Sequence, residues 1–406
     1  MKPSLLQYKI NIEYALLQGF YWALYSILLS FSSVYLLHKG YTNSQIGIIL
    51  AVGFLASVLL QQYIAAWADR TRRLTLPVIT AICVLCLTLC CIGLLFCQSS
   101  SVYHTLIFIT ACILEMLIQP LVNSLNFYLQ QIPVKMNFGV ARSIGSLFYS
   151  GTCLLLGIMI ERKNPDILPA YGIFVCICVI LLLLMMNYDS CKNTQYSPKD
   201  TSPVEESVGI REFFIQYRMF FVFLIGGLGL YFGHTLINNY FYQIIINIHG
   251  SSQDLGNIQA FSALLELPAM IFFSMLHSKF GCRKLLQASA FFFVIKIILT
   301  LFATNIPMLY VSMLFQSLSF AIFIPASVHL VNEVMFPKDA VKGQAFVTGM
   351  ITIANLLSSL LGGMLLDHSN VFFMLLVGTI TTVLGAGIAI VSLRQSNTIR
   401  KKQQID

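Results

Sequence analysis

Two residues of opposite charge, Glu266 and Lys296, stand inside long apolar runs, in Leu264-Leu265-Glu266-Leu267-Pro268 and Val294-Ile295-Lys296-Ile297. Leaving either charge alone in hydrocarbon costs several kcal/mol, so each requires a partner. Glu266 precedes Ser278 by twelve residues and Lys296 follows Lys284 by twelve. At the rise of a helix, both lie about 18 Å from the short turn that joins their runs. Matching depth on adjacent antiparallel helices lets them pair with each other or with a bound solute. Desolvation and a nearby ammonium act on the carboxyl in opposite senses, and a solute or a change of conformation can tip that balance. Such a group is what coupling to protons requires; a static pair that only orients helices is the alternative. Glu115 is the other deep acid, and its residue type fits a proton site, a hydrogen-bond acceptor for solute or a partner of His234. Glu13 and Glu333 lie near the ends of apolar runs, where water reaches, and read as gate or interfacial residues.

Polar residues in the apolar runs recur at helical spacing. Glu115, Gln119, Asn123, Asn126 and Gln130 form one stripe, and Tyr231, His234, Asn238 and Tyr242 another. Further stripes are Gln18, Tyr21, Trp22, Tyr25 and Ser26; Gln316, Ser319, Phe323 and Ser327; and Thr348, Thr352, Asn355 and Ser359. Polar groups facing lipid are costly, so these faces turn inward. They either line a central polar cavity or hydrogen-bond helices together. The cavity reading takes Trp22, Tyr25, Gln119, Asn123, Asn126, Arg142, Tyr231, His234, Asn238, Gln316 and Asn355 as solute-binding, with aromatic rings free to stack on a sugar face.

The elements that position these residues are membrane spans. Of 406 residues, 57% are hydrophobic and 10% charged, with a mean hydropathy of +0.81; soluble domains carry about 25% charged residues. Runs of about 20 apolar residues cross a bilayer, and twelve are expected: 12–37, 43–67, 74–97, 102–130, 139–160, 167–187, 213–246, 253–277, 284–303, 306–335, 343–366 and 371–394. With the N-terminus inside, twenty of the 24 lysines and arginines fall on the cytoplasmic side, against Lys39, Arg162 and Lys163 outside and Lys296 within the membrane. That asymmetry predicts both termini in the cytoplasm and accounts for the net charge of +8 without nucleic acid. The first run is too long for a signal peptide and leads directly into a second span. The 11 cysteines lie almost wholly within apolar runs without ligating neighbours and read as core residues, so neither metal nor cofactor is expected.

The chain repeats itself. Asp69, in Ala65-Ala66-Trp67-Ala68-Asp69-Arg70-Thr71-Arg72-Arg73, and Ser278, in the basic turn ending Gly281-Cys282-Arg283-Lys284, are 209 residues apart; Pro120 and Pro325 are 205 apart. Two six-helix repeats follow: an N-terminal bundle over 1–187 and a C-terminal bundle over 212–394. The polar stretch 188–211 is the expected linker and 395–406 a polar tail.

The hairpin from Ala65 to Arg73 resembles the signature loop of the major facilitator superfamily. Asp69 and Arg70 match it, while Ala65 and Arg72 stand where glycines are usual. Asn137-Phe138-Gly139-Val140-Ala141-Arg142-Ser143-Ile144-Gly145-Ser146 is similar to the start of helix five in lactose permease and the related oligosaccharide and phenylpropionate proton symporters. Glu266 and Lys296 resemble that group's membrane glutamate and basic residue in helices eight and nine. Pro325-Ala326-Ser327, Lys342-Gly343-Gln344 and Leu361-Gly362-Gly363 extend the likeness over nearly the whole chain. The resemblance implies a gate formed with Asp69, Arg70, Arg73, Lys279 and Arg283. It also implies that Arg142 reaches substrate, although anchoring to lipid phosphate fits its position equally. Lactose permease pairs histidine and glutamate in helix ten; Gln316 to Phe323 offers no ionisable group.

The expectation is therefore an all-α membrane protein of two six-helix bundles. It would move a small polar organic solute, a sugar or oligosaccharide first, with a proton or sodium, acting as a monomer in the cell membrane. Glu266, Lys296 and Glu115 would carry coupling. An aromatic acid or nucleoside symporter comes second, a drug exporter third, and a sensor that binds without transporting is the rival class. No nucleophile elbow or acidic pair supports an enzyme.

Overall fold

An apolar run in a bilayer has no water for its backbone, and a helix satisfies every peptide group within itself. The structure, a computed structural model, describes residues 5–70, 75–129, 138–186 and 210–403. Among these there are helices and no strand. Span one is α1 (Leu5–Tyr25), a π-helical turn (Ser26–Ser30) and α2 (Ser32–His38). Spans two to six are α3 (Asn43–Arg70), α4 (Leu76–Phe96), α5 (Val102–Leu129), α6 (Phe138–Arg162) and α7 (Ile167–Met185). After a short α8 (Ile210–Gln216), span seven is α9 (Arg218–Asn239) with α10 (Phe241–Asn247), and span eight α11 (Ser252–Ile271) with α12 (Phe273–Phe280). Span nine is α13 (Cys282–Leu301), span ten α14 (Ile306–Leu314) with α15 (Phe320–Val334), span eleven α16 (Pro337–His368) and span twelve α17 (Val371–Gln403). Each expected span thus has a helical counterpart among the described residues.

Continuity is where expectation and structure part. Nine described helices are each long and apolar enough to cross a membrane, while span one bends by 43° after its π-helical turn and span eight by 53° between α11 and α12. The second bend follows Pro268, which lies inside α11 and cannot donate its backbone bond. Gly281, between α12 and α13, has φ +75°, a conformation in which a Cβ is strained. The expected tail is helical through Gln403; Arg394 to Gln403 contains neither glycine nor proline to stop it. The expected linker falls mostly in 187–209, outside the described residues.

Helix packing repeats from one half of the sequence to the other. α1 packs on α6 and α7, and α4 on α5 and α7; correspondingly α9 packs on α16 and α17, and α13 on α15 and α17. The chain forms two compact units, Met1–Ser197 with Ser251–Leu264, and Pro198–Gly250 with Leu265–Asp406. In the first, the opening of α11 lies close on α6: a Cβ at Gly157 would come within 3.0 Å of the Ser252 carbonyl, and the Ser150 hydroxyl donates to the Ala260 carbonyl at 3.2 Å. In the second, Phe223, Tyr231, Phe293, Phe323 and Leu330 belong to one buried apolar core.

Candidate functional site

In the second unit the charged residues of the apolar runs are joined by an amide. Lys296, on α13 and 1% exposed, donates from Nζ to Gln316 Oε1 at 2.5 Å. Gln316 Nε2 donates to Glu266 Oε1 at 2.9 Å. The polarity of this chain is determined: an ammonium only donates, so the amide oxygen faces it and the amide nitrogen faces the carboxyl. Lys296 Nζ also lies 3.3 Å from His234 Nδ1. On the other side of the ring, the Asn238 Nδ2 lies 3.1 Å from His234 Nε2. The Lys296 carbonyl is itself held by the Thr300 and Ser312 hydroxyls at 2.9 and 2.8 Å.

Apolar rings enclose the cluster. His234 stacks on Phe320 with centroids 4.7 Å apart and meets Phe293 edge-on at 5.6 Å. Tyr231 packs on Phe323 at 5.2 Å; its hydroxyl is buried without a hydrogen-bond partner. Pairing is what makes a charge tolerable in such surroundings. Asn355 stands apart from the cluster, donating to the Ile351 carbonyl one turn back. The neighbouring Ser358 and Ser359 accept from Thr235 and Asn239 at 2.7 and 2.9 Å, so this part of the span-eleven stripe fastens α16 to α9.

The first unit gathers a second group. The Arg142 guanidinium lies 3.8 Å over the Trp22 ring and donates to Ser146 Oγ at 3.0 Å. A Cβ at Gly145 would come within 2.5 Å of Trp22, so only glycine admits the indole there. Tyr25 is 5.2 Å from Trp22. Gln18, absent from the expected solute-binding set, bridges Tyr14 and Asn123 at 2.9 and 3.0 Å. Gln119 is half-buried and Asn126 buried, with the Asn126 Oδ1 unpartnered. Glu115 is fully buried beside Tyr21, and neither carboxyl oxygen has a well-formed hydrogen bond.

Of the expected gate, Asp69 and Arg70 end α3, their side chains outside the described residues, as is the whole of Arg73. Lys279 is exposed, its ammonium 5.4 Å from the Phe280 ring. Arg283 pairs with Glu333 at 3.2 Å, and the Cys282 thiol donates to the other Glu333 oxygen at 2.7 Å. Sequence reasoning did not single out Thr300, Ser312, Phe293 or Phe320. Thr300 and Ser312 stand four residues from Lys296 and Gln316, a spacing that marks one helix face; nothing in the sequence points to the two rings.

This is the architecture of a membrane transporter: two sets of six spans with matching internal packing and polar groups held among apolar helices. Residues 12–377 match the MFS_1 like family, and the chain belongs to it. It is a transporter of the major facilitator type, embedded in a membrane, and not an enzyme. A relative described as the uncharacterized transporter YwbF of Bacillus subtilis is 24% identical over 403 residues, covering 94% of each chain. The fold is similar to that of the nucleoside transporter NupG (TM-score 0.79, 14% identity, 96% of this chain and 99% of that one). It is also similar to that of the xylose transporter XylE from E. coli (TM-score 0.64, 15% identity, 94% and 97%).

Proposed function

We propose that this protein is a proton-coupled symporter of a small polar organic solute, working by alternating access in the cell membrane as a monomer with both termini in the cytoplasm. The Glu266–Gln316–Lys296 chain carries this reading. A protein that needed only stability would fill the position with apolar side chains, since a buried pair seldom stabilises more than its hydrophobic replacement. Glu266 is the coupling carboxyl, Lys296 controls its protonation, and Glu115 is a second acid able to carry a proton. Arg142, Trp22, Tyr25, Gln119, Asn123, Asn126, Tyr231, His234, Asn238 and Asn355 contribute to solute binding. Asp69, Arg70, Arg73, Lys279 and Arg283 serve the gate. Sodium is the alternative coupling ion.

A sugar or oligosaccharide remains the first solute class, and a nucleoside the second. One observation favours the second: NupG is a nucleoside transporter of similar fold. The test is uptake of labelled xylose, maltose, uridine and phenylpropionate into vesicles, with and without an imposed pH gradient, for wild type and Glu266→Gln. The variant is expected to lose gradient-driven accumulation and keep solute exchange, which needs no net proton movement. Unchanged accumulation would move coupling to Glu115, and binding without uptake of any solute would establish the sensor reading.

A further inference from the structure

Span ten changes its winding where Gln316 sits. α14 ends at Leu314, and the Phe315 and Gln316 N–H groups bond three residues back, to Ser312 and Met313, at 3.1 and 3.0 Å. The Ala321 N–H then bonds five residues back, to the Gln316 carbonyl, at 3.3 Å. A tightened turn followed by a widened one is a common site of helix bending. Both sides of this joint are fastened to α13, by Ser312 to the Lys296 carbonyl at 2.8 Å and by Ser289 to the Ser319 carbonyl at 2.8 Å. Between these fixed points the Gln316 side chain reaches the two charged groups. Glu266 itself lies shortly before the 53° bend of span eight.

We propose that Gln316 is a positioning residue through which the charge state of Glu266 and Lys296 sets the bend of span ten over residues 315–319; this rests on the reading of those two residues as the coupling pair. The amide bonds an ammonium at one end and a carboxylate at the other, and hydrogen bonds to ionised groups are about twice as strong as neutral ones. Protonation of Glu266 weakens one end of the bridge and releases the joint, while Lys296 holds the other end. The anchors at Ser312 and Ser289 confine the change to the segment between them. The titratable groups around the bridge are Glu266 from α11, Lys296 from α13 and, next to Lys296, His234 from α9, with Tyr231 of α9 near Glu266.

Hydrogen exchange of the full chain in lipid nanodiscs, followed across a pH series on peptides covering residues 312–323, tests this without a solute. After correction for intrinsic exchange, wild type is expected to show a step in protection of about threefold or more. Glu266→Gln and Gln316→Asn, whose amide is too short to span both partners, are expected to lose the step while peptides from α16 stay unchanged. A merely structural role for Gln316 would lower protection at every pH and leave the step in place. A step retained in Gln316→Asn or in Glu266→Gln overturns the proposal. Failure of the coupling reading shows separately, as normal pH-driven accumulation in Glu266→Gln.

Discussion

A lysine inside a membrane span declares itself in the sequence; its partners do not. Lys296 and Glu266 stand out in the sequence as charges within apolar runs, but the amide that bridges them comes from another helix. Lys39 makes the same point at the opposite end of a span. It is only 8% exposed because it donates to the Cys97 carbonyl at 2.9 Å and pairs with Asp166 at 2.8 Å, tying three loops of the first unit together. Asp166 also meets His38 at 3.4 Å. Partial burial raises the Asp166 carboxyl, but the hydrogen bond and charge of Lys39, aided by His38, outweigh it and hold the group below the ordinary aspartate value. A lowered carboxyl contributes stability that is present above its unfolded pKa and lost as pH falls through the folded value. With Asp166 45% exposed, solvent screening limits the contribution to about 1 kcal/mol or less. Thermal unfolding in detergent should therefore show Asp166→Asn less stable than wild type near neutral pH, with the difference vanishing below about pH 4. A difference independent of pH would mean that the variant acts through something other than charge.

Helices reveal their lengths more readily than their joints. Apolar run length fixed twelve spans because a bilayer demands about 20 residues of any helix crossing it. The π-helical turn in span one and the rewinding in span ten depend on neighbouring helices, and no local residue pattern announced them. Close helix contacts are half legible: Gly226, Gly229 and Gly385 are visible as small residues, but only packing shows which ones touch. A Cβ at Gly385 would lie 2.6 Å from the Gly226 carbonyl, whereas one at Gly387 would meet nothing within 4 Å. Overpacking such a contact costs about 1–3 kcal/mol. Gly385→Leu is thus expected to lower the unfolding temperature in detergent and Gly387→Leu to leave it near wild type; equal effects would show that α9 and α17 do not approach as described.

For the whole molecule, orientation in the membrane rests on the twenty-to-three distribution of basic residues. Lys163 and Lys284 are exposed and Lys39 is not, so the first two are the positions to label. In a background without native cysteines, Lys163→Cys should react with an impermeant reagent added outside intact cells, and Lys284→Cys only after permeabilisation. The reverse pattern would invert the topology. The sequence by itself determined the membrane class, the number of spans and the internal repeat, because each is set by run length, composition or spacing along one helix. Only the tertiary structure decided that Gln316 joins Glu266 to Lys296, that part of the span-eleven stripe fastens helices, and that Arg142 lies over Trp22. Periodicity states which residues share a face; what that face meets depends on residues tens to hundreds of positions away, whose approach the fold alone sets.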